Sequence, residues 1–298
     1  MSEIMQFLNV ILKPMVFVFT VSSLFAMGLQ VKMPEVIASL KNKKAMALIF
    51  VWAWVLAPAF GYLIIWVLPL AEPFEITVLL SSLAPCAPIV PLMVQRARGD
   101  ISFAGVFIPL VMVGAVVLIP LIGPLMVKEL TVSSADLAKP LFVQICLPLV
   151  IGAAARHYAE TAATKIFPAV NAFARLVTLV MITVAFVLFA KPMLETFGSF
   201  ALLAATIHVV GMMLITYRFG FGLKQNQRSV MGLGNGTRNL AAILAAAFAI
   251  PNVDPRIITF IMMWGLWSFV LAAIGARIFG KLAGEADIEQ SVPLSENK

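Results

Sequence analysis

Arg238 lies inside an apolar run long enough to cross a membrane, in the segment Gly232-Leu233-Gly234-Asn235-Gly236-Thr237-Arg238-Asn239. A fixed charge at such a depth costs about 2.5–3.5 kcal/mol on the insertion scale, so its presence needs an account. A guanidinium there can grip a carboxylate through two parallel hydrogen bonds. It can also bridge main-chain carbonyls that have lost their helical partners. Asn235, Thr237 and Asn239 set amide and hydroxyl groups beside it, suited to a ligand or to the same carbonyls. His208 falls in the middle of another apolar run. It reads as a satisfied core histidine or as a proton carrier near neutral pH. Cys86 sits in Ala84-Pro85-Cys86-Ala87-Pro88-Ile89-Val90-Pro91 and reads as a small buried hydrophobe or a soft ligand.

These groups need elements to hold them, and the composition says which. Of 298 residues, 62% are hydrophobic and 12% are charged. A soluble domain carries about 25% charged residues. This excludes a soluble enzyme, a disordered chain and a nucleic-acid-binding domain. The net charge of +7 then reads as loop charge beside a lipid bilayer. Two cysteines, both in apolar runs, are too few for a disulfide framework. The first run carries Lys13 and Pro14 and lacks a small-residue cleavage site, so no cleavable leader is expected.

A membrane helix needs roughly 20 mostly apolar residues. Nine runs qualify, at about 7–30, 44–69, 74–96, 101–127, 137–156, 165–190, 197–221, 227–250 and 256–280. Residues 284–298 form a polar, acidic tail expected to fray in solvent. Thirteen lysines and arginines fall in one alternating set of loops and ends, among them Lys32, Arg98, Lys165, Arg218 and Arg277. Four fall in the other set: Lys128, Lys139, Lys191 and Arg256. The positive-inside rule therefore places the N-terminus outside and the C-terminus in the cytoplasm of an inner-membrane protein. Every carboxylate lies in a loop, at a span end or in a tail. A carboxylate proton relay or cation site normally needs one at mid-span.

Two spans should be interrupted. Pro85, Pro88 and Pro91 remove three main-chain donors from the third. Gly232, Gly234 and Gly236 favour unwinding of the eighth. Each break precedes a short loop with an aspartate, Asp100 or Asp254, and then a long apolar helix. The two spans run in opposite directions, as in an inverted repeat whose broken helices meet at the midplane. The first half has four spans and the second five, as if one helix had been lost from a five-plus-five ancestor.

Arg96-Ala97-Arg98-Gly99-Asp100 resembles the alanine-basic-glycine-Asn/Asp signature of the bile acid:sodium symporter family. Ala26-Met27-Gly28-Leu29 and Asn239-Leu240-Ala241-Ala242 are similar to two further stretches of that family, and His208 falls where it often has a histidine. The similarity runs from about residue 15 to 280. It implies a panel domain of spans 7–30, 137–156 and 165–190, and a core domain of 44–127 and 197–280, within one polytopic unit. The departures are specific. Gly232 and Gly236 stand where the family has a glutamate and a glutamine on sodium. Val90 and Pro91 lie near its small-polar and asparagine pair, and Ala104 and Ile108 replace hydroxyls. No anionic ligand remains to offset a dehydrated cation, which puts sodium coordination in doubt. No other cofactor is expected. Arsenite efflux permeases, also similar, have a cysteine where Cys86 stands but an acidic residue where this chain has Asn239.

The expectation is an all-α membrane transporter of a small anionic molecule, working by alternating access and not an enzyme. Arg238 would supply the positive charge of the missing sodium by bridging the opened carbonyls. The alternatives are a metalloid efflux permease using Cys86 and a non-transporting sensor or scaffold. Arg175, about ten residues into its span, reads first as a structural contact and second as a pathway residue. The sequence sets no oligomeric state.

Overall fold

The computed structural model describes residues 3–84, 86–196 and 198–291, and among these every regular element is a helix. Pro85, one of the three breaking prolines, and residues 292–298 of the tail lie outside the described residues. In chain order, α1 is Glu3–Gly28, α2 Met33–Leu40, α3 Lys43–Phe50, α4 Ala57–Val67, α5 Glu72–Leu83, α6 Val90–Arg96 and α7 Ile101–Met126. Then come α8 Ser134–Leu141, α9 Leu147–Tyr158, α10 Glu160–Glu195, α11 Ala201–Arg218, α12 Gln225–Gly236, α13 Leu240–Ala247 and α14 Pro255–Ser291. Among the described residues seven helical runs can cross a membrane unaided: α1, α3 through α4, α7, α8 through α9, α10, α11 and α14. The remaining two crossings are interrupted, α5 with α6 and α12 with α13. The chain is thus an all-α, multi-pass membrane protein, and among the described residues the seven long runs and the two interrupted pairs match the nine runs read from the sequence. Large apolar side chains face outward, with Trp66 83% and Leu125 81% exposed. Such a surface would associate in water but suits lipid.

Two crossings contain a widened turn, and both for one reason. Val51–Leu56 and Phe142–Cys146 are π-helical, and each is followed two residues later by a proline, Pro58 or Pro148. A proline ring collides with the carbonyl four residues back and offers it no donor. Widening the turn lets the helix continue past it.

The signature residues of the sequence have structural duties. A Cβ on Gly28 would lie 2.9 Å from the Cα of Gly152, so these glycines let α1 cross closely over α9. α10 packs against both. Asp100 caps α7 by accepting from the Phe103 amide at 2.9 Å. Its second oxygen accepts from Gln227 Nε2 at 3.2 Å, and its own amide donates to the Asn226 carbonyl at 3.2 Å. The loop after the first broken crossing is thereby tied to the start of the second. α14 continues through Ser291, past the point where fraying was expected at Gly284. Residues 285–292 contain neither glycine nor proline, and several are good helix formers.

Candidate functional site

The two interruptions meet and are joined by main-chain hydrogen bonds. The Cys86 amide donates to the carbonyls of Gly234 and Thr237, each at 3.0 Å. The Ala87 amide donates to the Thr237 hydroxyl oxygen at 3.1 Å. In the other direction the Asn239 amide donates to the Ala84 carbonyl at 2.8 Å. Each break frees the amides and carbonyls that the other needs, which satisfies opened backbone at membrane depth. Cys86 adopts φ 71°, the left-handed conformation that turns its amide toward α12.

The break in the second crossing is narrower than its glycines suggest. α12 stays helical through Gly232, Gly234 and Gly236 and opens only at Thr237. The glycines admit neighbours instead. A Cβ on Gly232 would stand 2.9 Å from the Met213 carbonyl oxygen, and one on Gly236 2.8 Å from Met213 Cβ. α11 fills that space. A Cβ on Gly234 would meet the Phe107 ring of α7.

The polar side chains here are only half committed: Arg238 Nε and Nη1, His208 Nε2, Asn235 Oδ1 and Asn239 Nδ2 are buried without a hydrogen-bond partner. The Thr237 hydroxyl donates to the Leu233 carbonyl at 2.9 Å while accepting from Ala87. Asn235 Nδ2 donates to the Met231 carbonyl at 3.0 Å. Asn239 Oδ1 accepts from the Ala242 amide at 3.2 Å and caps α13. The Arg238 side chain reaches α11. Its Nη2 donates to Nδ1 of His208 on α11 at 3.1 Å. The guanidinium therefore does not bridge the opened carbonyls, because amides of the facing break already meet them. His208 is held between the rings of Phe60 and Trp264, with centroids at 5.7 and 5.5 Å. Cys86, His208, Asn235, Thr237, Arg238 and Asn239 all have no exposed surface.

The structure thus gathers five of the six proposed ligand-binding residues at the crossing and brings in His208 through Arg238. None of the six lines the cavity beside the first break. That cavity, of about 440 Å³, opens between α1, α10 and the start of α6, with Phe269 of α14 on its wall. Pro88 and Pro91 line it, so the first break forms one face. Its polar groups are Ser23, Gln30, Gln95, Asn171, Thr178 and Arg175. Arg175 is the charged residue of that lining. A smaller cavity of about 150 Å³ shares Met27, Gln30, Pro91 and Gln95 with it and leads to Lys32. The sequence carries a signal for this wall. Asn171, Arg175 and Thr178 are spaced four and three residues apart, a polar stripe on one face of an apolar helix.

The decisive comparison concerns most of this architecture. The family model described as "Sodium Bile acid symporter family" matches residues 16–196. The chain belongs to the sodium bile acid symporter family. A search of the curated proteins finds no match. The matched stretch contains α6, the signature loop at Asp100 and the cavity-lining parts of α1 and α10 from Phe19 to Ile182. It ends before α11, the helix that carries His208, and before the second crossing. As a member of this family the chain is related to sodium-coupled transporters of bile acids and similar compounds, and a non-enzymatic role fits that membership.

Proposed function

We propose that this protein is a secondary transporter of a small organic anion, working by alternating access. The observation that carries the reading is Arg175, a guanidinium on the wall of a membrane-depth cavity whose other lining groups are uncharged. A carboxylate or sulfonate matches a guanidinium in charge and in planar, two-pronged geometry. Phe19, Ile89, Leu92 and Phe269 offer an apolar wall to the rest of such a molecule. The volume falls in the range of small-molecule pockets, about 300–1,000 Å³.

In this reading α1, α9 and α10 form the panel, and the remaining crossings form the core with the joined breaks. Sliding of one group against the other would open the cavity first to one side and then to the other. The positive-inside rule puts the Lys32 end on the cytoplasmic side of the inner membrane, with the N-terminus outside. The metalloid reading has less support. Cys86 is fully buried and does not line the cavity, and its Sγ donates to the Ala87 carbonyl at 3.9 Å.

The test is uptake of labelled monocarboxylates and sulfonates into proteoliposomes. Uptake of at least one should saturate, and Arg175→Gln should raise its KM about tenfold or more, the equivalent of about 1.4 kcal/mol. An Arg175→Gln protein with unchanged KM would remove the basis of the proposal.

A further inference from the structure

We infer that the cation at the crossing is built into the chain: Arg238 supplies permanently the positive charge that the family takes from sodium, so this carrier runs without a sodium gradient. The inference deepens the proposed transport reading and shares its assumption that the chain is a carrier.

Three observations converge. The first is the donor set. Among the described residues no three His, Cys, Asp or Glu side chains form a cluster able to hold a metal ion. Among the described residues the fully buried polar ones include Thr77, Ser81, Asn235 and Asn239 but no carboxylate. A sodium ion stripped of water needs several oxygens and gains most from an anionic one. Among the described residues the buried side-chain oxygens left without a hydrogen-bond partner are Ser81 Oγ and Asn235 Oδ1, both neutral, and these two do not make up such a shell.

The second is space. Gly232 and Gly236 face α11 across one turn of α12, and α11 closes on both. Side chains there would strike the Met213 carbonyl and Cβ, and the Val209 carbonyl stands 3.1 Å from the Gly236 position. The helices have come together where an ion and its ligands would otherwise separate them.

The third is the charge itself. Arg238 follows the joining residue Thr237 directly and has no exposed surface. Among the described residues it is the sole fully buried side chain with a fixed charge. Its nearest carrier of negative polarity is the lone pair of His208 Nδ1, at 3.1 Å. Among the described residues no carboxylate is paired with it, so the crossing carries an uncompensated guanidinium in this conformation. The three main-chain links and the Ala87–Thr237 hydroxyl link between the breaks do not need an ion to close them.

A carrier of this kind gains no energy from sodium.

The experiment is a pair of measurements on the purified full chain. The first follows thermal unfolding in detergent, without substrate, as sodium chloride replaces potassium chloride from 0 to about 300 mM at constant ionic strength. The expected result is no sodium-specific shift in Tm. A saturable rise of about 2 °C or more overturns the inference. Because no substrate enters, this arm stands even if no organic anion proves to be carried. The second compares Arg238→Lys with Arg238→Met in proteoliposomes without sodium. Lysine should keep uptake within about fivefold and methionine should lose at least tenfold. Uptake by the methionine variant at wild-type rates overturns the assignment. If that variant does not fold, the sodium titration of the wild type decides.

Discussion

Arg238 fixes the tautomer of His208. The guanidinium has donors and no acceptor, so Nδ1, 3.1 Å from Arg238 Nη2, must be the unprotonated nitrogen. His208 is therefore a neutral acceptor holding a buried cation in place. A second proton on the ring would break this bond and set two positive charges side by side. Replacing His208 by Asn keeps an acceptor on a short side chain, whereas Leu removes it. We expect His208→Leu to cost about 1.5–3 kcal/mol, because it removes the hydrogen-bond acceptor of a buried charge. His208→Asn should recover at least half of that. Denaturant unfolding in micelles measures both, and equal losses would show that packing between Phe60 and Trp264 is all the histidine provides.

The same geometry separates the anion reading from the metalloid reading. The Cys86 side chain is buried, and the residue's structural contribution comes through its amide, which alanine also has. Cys86→Ala should keep anion uptake within about twofold, and brief maleimide treatment of the wild type should leave it unchanged. Loss of uptake in both experiments would return the thiol to the transport path.

The fold was legible because membrane helices declare themselves by length and apolarity. The nine crossings, the meeting of the two breaks and the signature glycine at Gly28 all rest on local pattern. What the pattern could not give was the identity of each neighbour. Gly232, Gly234 and Gly236 look alike as helix breakers, yet each lies in an intact helix and admits Met213 or Phe107. Glycine permits unwinding and close packing equally, and only tertiary contact chooses between them. Arg238 and Arg175 pose the same difficulty. Both are charges inside spans, and the sequence favoured Arg238 for substrate because it stood beside the break. The structure buries Arg238 against His208 and puts Arg175 on the cavity wall. The stripe of Asn171, Arg175 and Thr178 held that information, but a polar stripe can equally face another helix.

Asp254 gives a small pH-dependent contribution at the other loop. The Arg256 side chain hydrogen-bonds it at 2.7 and 3.0 Å, and the Arg256 amide at 2.8 Å, which holds its carboxyl below the usual carboxylate range. A folded-state pKa below the unfolded value means stabilisation that is present above about pH 4 and lost as pH falls through the folded value. The Arg256 side chain is 63% exposed, so solvent screening limits the contribution to less than about 1 kcal/mol. Asp254→Asn should lower Tm slightly at pH 7 and by less at pH 3. A large loss at both values would point to helix capping in place of charge.

Thr237 carries the sharpest test of how the breaks are joined. Its hydroxyl donates to the Leu233 carbonyl and accepts the Ala87 amide, so one oxygen ends α12 and links it to the first crossing. Valine has nearly the same shape without either function. Thr237→Val leaves the Ala87 amide without its partner in a dry interior, at a cost of about 1–3 kcal/mol. Serine keeps the oxygen and loses only a methyl group, so Thr237→Ser should retain most of the stability. The two variants also differ in what they do to the cycle. If the joined breaks move as a unit against α1 and α10, loosening one link should slow uptake while the substrate's KM holds. A valine variant as stable and as fast as the wild type would mean that the Cys86 and Asn239 amide links hold the crossing without the hydroxyl.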